Sequence, residues 1–193
     1  MEMIFTVLVQ VMNIKEKKNE KNACVENQSK TINSNTYAKN KILFYKYLEK
    51  SKINFIWFRV FWLFGDNENS NRLFPQIVDK LSKNKEYFID NPNVSLDYTH
   101  VRDAAKMIVN IITKRKKNQI FNICSGKYLN LGEIAKKISL ILGKKKYLKL
   151  KKNKTNTKIY GSIKKLKENK CYVKSNFKLR LKEFVLNSSK ITS

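Results

Sequence analysis

The stretch TYAKNKILFYKYLEKSKINFIWFRVFWLFG, residues 36–65, decides the fold. Its first half predicts a helix over Thr36–Lys50, with Ser34, Asn35 or Thr36 as the N-cap and apolar side chains along its faces. Its second half is a hydrophobic run over residues 53–65 that ends at Gly65, and residues 3–12 form another apolar run. We expect residues 3–12 to form a strand covered on both faces. Strand, helix and strand in this order indicate a parallel βαβ unit, and therefore an α/β fold.

The rest of the chain alternates helical and extended patterns. Helices are predicted over residues 73–81, 103–112, 130–142 and 177–186, and extended segments over 87–89, 96–99 and 118–124. In the third of these helices, Leu131, Ile134, Ile138 and Ile141 fall on one face, which is typical of an amphipathic helix. A lysine-rich loop over residues 143–158 follows it.

The charge of the chain suggests one class of partner. It has 41 Lys and Arg against 15 Asp and Glu, a formal net charge of +26, which attracts phosphate without regard to sequence. A basic module that binds RNA or another polyanion is therefore one alternative function. The lysines are spread along the whole chain, however, and no stretch pairs a basic cluster with aromatics placed for base stacking. We therefore expect no specific nucleic-acid partner.

Cysteine and histidine usage limits the redox and metal chemistry. Cys24, Cys124 and Cys171 are odd in number and far apart, which is typical of reduced thiols in a cytoplasmic protein. His100 is the only histidine, so we expect no metal site. The apolar run over residues 3–12 is too short to span a bilayer and lacks the marks of a signal peptide, so we also expect no membrane segment.

A tyrosine followed four residues later by a lysine could form an acid/base pair, and this spacing occurs three times, at Tyr37, Tyr147 and Tyr160. Residues four apart lie on one face of a helix. An ammonium held there favours the phenolate and lowers a phenol pKa that is otherwise about 10. In a chain so rich in lysine, the spacing alone does not choose among the three.

Six colinear stretches make that choice through a family resemblance. They are YAKNK (37–41), FRVFWLFG (58–65), NRLFPQIV (71–78), LDYTHVRDAAKMI (96–108), QIFNICSGKYLNLGEIAKKI (119–138) and GSIKKLKENKCYVKSNFKLRLKEFV (161–185). In this order they resemble the C-terminal two-thirds of the NAD(P)-dependent epimerase/dehydratase family, the extended short-chain dehydrogenases that act on nucleotide sugars. The resemblance covers about residues 36–185. It implies a Rossmann-like, doubly wound parallel sheet with a small mixed α/β substrate-binding part.

The resemblance also implies roles for individual residues. Tyr37 would exchange a proton with the sugar while nicotinamide takes or gives hydride, and Lys41 would lower the pKa of Tyr37 and hold the nicotinamide ribose. Phe61 would touch the nicotinamide end of NAD or NADP. Arg72 and Leu73 would line the pocket for the nucleotide-sugar substrate. For Phe61 and Leu73, ordinary core packing is an equally good reading of the sequence.

The sequence departs from the family pattern at the cofactor site. No glycine precedes Gly65, although the family binds the dinucleotide pyrophosphate with a glycine-rich turn on an N-terminal Rossmann half. Leu96 stands where the family has a pyrophosphate-contacting arginine, and Trp62 where it has an asparagine. We therefore expect a truncated sheet that lacks the N-terminal dinucleotide-binding βαβ units, and a chain that is inactive by itself.

These departures also shape the expected organisation and partners. Residues 1–65 would be the remnant of the Rossmann-like domain that carries the Tyr-x-x-x-Lys helix. Residues 66–193 would combine the substrate-binding part with the remaining sheet elements. The expected protein partners are a second copy of the chain, in a homodimer, or a separate complementing Rossmann chain. A non-catalytic subunit that pairs with such a chain is a further alternative function.

Overall fold

The computed structural model describes residues 5–10, 23–26, 36–115, 117–152 and 156–191. The strands are β1 Phe5–Gln10, β2 Phe55–Val60, β3 Trp62–Phe64, β4 Tyr87–Ile89, β5 Ser95–Leu96, β6 Tyr98–His100, β7 Gln119–Ile123, β8 Leu129–Asn130, β9 Leu148–Leu150 and β10 Lys158–Ile159. The helices are α1 Thr36–Lys50, α2 Leu73–Ser82, α3 Val101–Ile112, α4 Leu131–Ile141, α5 Lys164–Glu168 and α6 Phe177–Ile191.

The parallel βαβ unit expected at the start of the chain is present. β1 pairs in parallel with β2 over its whole length, from Phe5 opposite Phe55 to Gln10 opposite Val60. β2 also pairs in parallel with β7, which gives a three-stranded sheet of order β1–β2–β7. Because β2 is central and covered on both faces, its side chains are almost all buried. The prediction of an α/β fold with a Rossmann-like parallel sheet is confirmed.

The hydrophobic run over residues 53–65 does not form one strand. β2 ends at Val60, and β3 begins two residues later and pairs with β6 in another sheet. At the junction, the Phe61 N–H donates to the carbonyl of Ile123 at 3.0 Å, and the Trp62 N–H donates to the carbonyl of Asp97 at 3.2 Å. The backbone therefore changes partners here, from β7 to the segment that joins β5 and β6.

The apolar face of α4 contributes to a second core, on the C-terminal side of the chain. Ile134 and Ile138 of α4 pack with Ile77 of α2 and Phe184 of α6 in one buried cluster. Three small sheets border the helices, with β3 beside β6, β4 beside β9, and β5 between β10 and β8. These elements form the mixed α/β part, and its sequence is interrupted by β7, which belongs to the parallel sheet.

Most predicted element bounds agree with the structure. α1 and β4 have the predicted bounds, whereas α6 continues beyond residues 177–186 to Ile191. Of the strand predicted over residues 3–12, the structure describes Phe5–Gln10, and the other residues of that prediction lie outside the described part.

Candidate active site

Helix α1 carries Lys41, Tyr45 and Leu48 on the side that faces the parallel sheet. The series Tyr37, Lys41, Tyr45 and Leu48 recurs at helical spacing along one face. Tyr45 and Leu48 are buried against β2, where the Tyr45 ring lies 5.0 Å from that of Trp57. Lys41, one turn before Tyr45, is half-buried. The backbone of Tyr37 lies in the first turn of α1, and its side chain lies outside the described part of the structure.

The first turn of α1 lies at the carboxyl edge of the sheet. A helix that connects two parallel strands runs back antiparallel to them, so it begins where the first strand ends. In agreement with this direction, Tyr45 contacts Phe55 at the start of β2, with the two rings 6.0 Å apart. The earlier residues of α1 therefore lie nearer the carboxyl ends of β1, β2 and β7, the edge at which ligands bind in open α/β sheets.

The other two Tyr–Lys spacings do not lie on single helices. Tyr147 closes a 3₁₀ turn and Lys151 follows β9, so an extended segment separates them. Tyr160 precedes α5, in which Lys164 is the first residue. Of the three pairs, Tyr37 and Lys41 alone share a helix, and their role as an acid/base pair stays a prediction.

A polar group occupies the α1 side of the sheet towards its carboxyl edge. Arg59 of β2 lies opposite Asn122 of β7 in the register. The Asn122 N–H donates to Oε1 of the buried Glu26 at 3.2 Å, and Asn122 Nδ2 donates to the carbonyl of Cys24 at 2.9 Å. Burial lowers the pKa of the Arg59 guanidinium, an effect that the Glu26 carboxylate opposes. Segment 23–26 thus covers this polar group of the sheet.

Phe61 follows β2 at the same edge and is fully buried. It packs with Cys24 and Cys124, and its ring centroid lies 6.3 Å from that of Trp62. A Cβ added to Gly161 would lie 2.8 Å from Phe61 Cζ, so a glycine is needed for this backbone to approach the ring. The surroundings of Phe61 are therefore those of a core residue. The predicted contact between Phe61 and nicotinamide stays a prediction.

The buried carboxylate of Asp97 holds together the loops around Phe61. Its Oδ1 accepts hydrogen bonds from the Ser125 N–H at 2.8 Å and the Ser125 hydroxyl at 2.6 Å. Its Oδ2 accepts from the N–H groups of Gly126 at 3.0 Å and Gly161 at 3.2 Å. Burial raises the pKa of Asp97, and these four donors oppose that rise. One carboxylate therefore fixes the segments that follow β7 and β10.

A cleft of about 510 Å³ opens beside the carboxyl ends of β2 and β3, and Phe61 and Arg72 both line it. Arg72 is the N-cap residue of α2, and its Nε lies 3.4 Å from Oε1 of Glu68, which also lines the cleft. Burial raises the pKa of Glu68, although the hydrogen bond and charge of Arg72 lower it. Leu73 begins α2 and packs, partly buried, against the C-terminal core.

The structure thus brings together some of the residues that the sequence singled out. Phe61 and Arg72 share the cleft, Lys41 lies on the sheet-facing side of α1, and Leu73 is part of a core cluster. Glu26 and Glu68 were not predicted. Glu68 pairs with Arg72 four positions later, but both lie in the loop before α2, where the helical spacing rule gives no signal. Glu26 gave no signal either, since its partner Asn122 is 96 residues away.

A model of the NAD dependent epimerase/dehydratase family matches residues 16–124 of the 193-residue chain, which is more than half of it. This chain belongs to that family. The predicted family is therefore confirmed, and so is the prediction of NAD or NADP as cofactor at the level of the family. The predicted assignment of individual site residues stays a prediction.

Individual family members match different shares of the chain. A dTDP-6-deoxy-L-talose 4-dehydrogenase (NAD(+)) from Aggregatibacter actinomycetemcomitans is 30% identical over 77 residues, which are 39% of this chain and 28% of that relative. A UDP-glucose 4-epimerase from Thermotoga maritima, solved with UDP-glucose, has a TM-score of 0.86 and 17% identity over 98% of this chain and 64% of its own. A dTDP-glucose 4,6-dehydratase from Bacillus anthracis, solved with NAD, has a TM-score of 0.81 and 18% identity over 98% of this chain and 62% of its own. The chain thus spans less than two-thirds of the length of these family members.

The residues of this chain fit the nicotinamide ribose of NAD better than its pyrophosphate. Lys41 is a half-buried cation on the sheet-facing side of α1, as a residue that holds the nicotinamide ribose should be. A dinucleotide pyrophosphate needs the amides of a glycine turn at a helix N-terminus. The first glycine of this sequence is Gly65, after β3, so residues 1–64 contain no such turn. The residues present therefore do not fit the pyrophosphate.

The described residues contain no group of three or more His, Cys, Asp or Glu side chains that could hold a metal ion. No helix among them has both the length and the apolar character that crossing a membrane requires.

Proposed function

We propose that this chain supplies the proton-transfer residues and the substrate-side wall of an NAD(P)-dependent enzyme that acts on nucleotide sugars. The observation that carries the proposal is the helical face on which Tyr37 and Lys41 continue into the sheet-packed Tyr45 and Leu48. Tyr37 is the acid or base for a sugar hydroxyl or carbonyl, and Lys41 lowers its pKa and holds the nicotinamide ribose. The cofactor, when bound, supplies the hydride chemistry.

The cleft beside β2 and β3 supports the substrate part of the proposal. Phe61 forms its wall towards the nicotinamide end, while Arg72 offers a cation at its rim for the nucleotide diphosphate. Leu73, which is in the core, acts by fixing the start of α2 behind Arg72. The similar UDP-glucose 4-epimerase was solved with UDP-glucose, which supports a nucleotide sugar as the substrate class.

We propose that the pyrophosphate of the dinucleotide is bound by residues outside this sequence, in a complementing Rossmann chain. A second copy of the chain, in a homodimer, has the same residues and would not supply the glycine-rich turn. By itself, the chain then leaves the nicotinamide unpositioned, and hydride transfer needs near-attack distances. The functional division lies at about residue 65, with the Tyr–Lys helix before it and the substrate-binding part after it. Among the described residues, the buried Cys24, Cys124 and Cys171 form no disulfide, which supports a cytoplasmic location.

Ligand-dependent melting tests the substrate class directly. The 193-residue chain is melted with UDP-glucose, GDP-mannose, CDP-glucose and dTDP-glucose, with NAD and with NADP. A ligand that binds the native state raises Tm. We expect one of the nucleotide sugars to raise Tm, and no nicotinamide turnover from the chain alone. If none of the four nucleotide sugars changes Tm, the proposed substrate class is wrong.

Turnover tests the division of labour between this chain and the pyrophosphate site. The dinucleotide-binding half of the 30% identical relative is fused ahead of residue 5, and the fusion is assayed for nicotinamide reduction or oxidation. We expect turnover in the fusion and none in the unfused chain. Turnover by the unfused chain would contradict the need for an outside pyrophosphate site.

A further inference from the structure

The carboxylate of Glu68 lies in the wall of the cleft and accepts fewer hydrogen bonds than it can. Its side chain is only 16% exposed, and its Oε1 is 3.4 Å from Arg72 Nε, near the upper limit for a hydrogen bond. Within the described residues, its Oε2 is buried without a hydrogen-bond partner. A buried acceptor that lacks a donor costs free energy, and such groups call for an explanation. A ligand that brings a donor would remove this cost.

The charges around Glu68 indicate which kind of donor fits. A ligand ammonium or guanidinium would bind here only if the cleft carried excess negative charge. The two acidic residues of the cleft, Asp66 and Glu68, already have cationic neighbours, so it carries no such excess. Glu68 lies beside Arg72, and Asp66 Oδ2 accepts a hydrogen bond from Arg102 at 2.9 Å. An ionised carboxylate accepts hydrogen bonds without donating any. The ligand group that fits Glu68 is therefore a neutral hydrogen-bond donor.

The walls of the cleft narrow the ligand class further. Leu63 and Val101 line it and are at least partly exposed, with the buried Phe61 and Phe64 behind them, so an apolar surface lies beside the carboxylate. A pocket of this type, mainly apolar with few convergent polar groups, orients a ligand through those groups. A sugar ring has apolar C–H faces for this apolar wall and vicinal hydroxyls for the carboxylate. The terminal torsion of a glutamate is broad, so either oxygen can turn towards the cleft.

From these contacts we infer that Glu68 binds the sugar hydroxyls of the nucleotide sugar and discriminates the glycosylated nucleotide from the free nucleoside diphosphate. The inference rests on the proposed function, and it adds a specificity-determining residue to the same site. Arg72 takes the phosphate end, while Glu68 accepts from the sugar end. Arg72 and Glu68 together thereby fix the orientation of the nucleotide sugar in the cleft.

Paired titrations test the role of Glu68. The affinities of UDP-glucose, GDP-mannose, CDP-glucose and dTDP-glucose for the 193-residue chain are each compared with that of the matching nucleoside diphosphate, before and after Glu68→Gln. The control is Glu168→Gln, which removes an exposed carboxylate that also pairs four residues away, with Lys164. We expect the best sugar nucleotide to bind about 10- to 100-fold more tightly than its nucleoside diphosphate, as a hydrogen bond to a charged group provides. Glu68→Gln should remove most of this preference, and Glu168→Gln should retain it.

Three outcomes would overturn the inference, and they differ in what they say of the proposed function. If the sugar preference persists in Glu68→Gln, or if the unchanged chain shows none, Glu68 is not the discriminating residue although nucleotide sugars bind. If neither the sugar nucleotides nor the nucleoside diphosphates bind the unchanged chain, the proposed substrate class is wrong as well. A melting curve of each variant establishes that a lost preference is not lost folding.

Discussion

On one face of the β1–β2–β7 sheet, β2 and β7 present buried apolar side chains to α3 and α5. On the other face, apolar packing gives way to polar groups towards the carboxyl edge of the sheet. The first face carries Ile56, Phe58, Val60, Phe121 and Ile123. The second begins with Phe55 and Trp57 under α1 and continues with Arg59 opposite Asn122. Buried polar groups cost free energy unless they are satisfied. Their concentration at one end of one face is consistent with the proposed site at that end, with the opposite face as the scaffold.

The largest effect is expected on the scaffold face. Phe121→Ala removes a fully buried ring from the cluster shared with α3. We expect the free energy of unfolding to fall by about 3–5 kcal/mol, because the lost burial and the cavity add. Urea denaturation measures it. Phe88→Ala, at a half-exposed ring on β4, is the matched control and should cost at most about 1 kcal/mol. Equal losses in the two variants would break the distinction between scaffold and surface.

A smaller, local effect is expected on the polar face. Asn122→Ala deletes the Nδ2 donor to the Cys24 carbonyl, which also accepts from the Ser162 N–H. Because that carbonyl keeps one donor, we expect a loss of about 1 kcal/mol, the net value of an ordinary hydrogen bond. Amide exchange should quicken at Cys24, whose N–H donates to the carbonyl of Tyr160 at 2.8 Å.

A second asparagine shows whether that effect is local. Asn118 lies at the opposite end of the same strand, and its Oδ1 accepts from the Phe55 N–H at 3.1 Å. Asn118→Ala should lower stability without selectively quickening exchange at Cys24. If both variants change Cys24 exchange alike, segment 23–26 does not depend on the polar group, and the comparison between the ends of this face fails.

The smallest effect concerns an ion pair outside the site, between α3 and α6. Burial raises the pKa of Asp103, but the Ser175 hydroxyl at 2.6 Å and Arg180 NH2 at 3.1 Å lower it, and the net shift is downward. The pair therefore stabilises the fold fully above the unfolded pKa of about 4, and this contribution is lost as pH falls through the folded value. Asp103→Asn should lower stability at neutral pH and flatten the acid-side decline.

The matched control is Glu133→Gln, whose carboxylate is exposed and pairs with Lys136. Urea midpoints at about pH 7 and about pH 3 compare the two variants with the unchanged chain. Exposed pairs contribute little, so Glu133→Gln should reproduce the unchanged profile. If Asp103→Asn also keeps the full acid-side decline, other carboxylates account for it.

The sequence predicted local structure better than it predicted partners. The bounds of α1 followed from its apolar periodicity, and β4 from its short extended pattern. The cap candidates Ser34 and Asn35 lie outside the described residues, and Thr36 is the first residue of α1. The division of residues 53–65 into β2 and β3 could not be predicted, because it depends on the carbonyls of Ile123 and Asp97, far away in sequence. The polar group on the sheet had no local signal for the same reason: its members come from three segments that only the fold brings together. Tyr37 and Lys41 could be chosen because family resemblance supplied what periodicity did not.

Turnover by the Tyr37→Phe variant of the fused enzyme tests the central claim, that the α1 pair performs the proton transfer. The matched control is Tyr160→Phe, which removes the hydroxyl of a tyrosine with the same sequence spacing to a lysine but no shared helix. We predict that Tyr37→Phe lowers kcat by about 10²- to 10⁴-fold with nucleotide-sugar affinity nearly unchanged, because the phenol acts in the transition state. Tyr160→Phe should leave kcat intact. Unchanged turnover in Tyr37→Phe, or an equal loss in Tyr160→Phe, would contradict the claim.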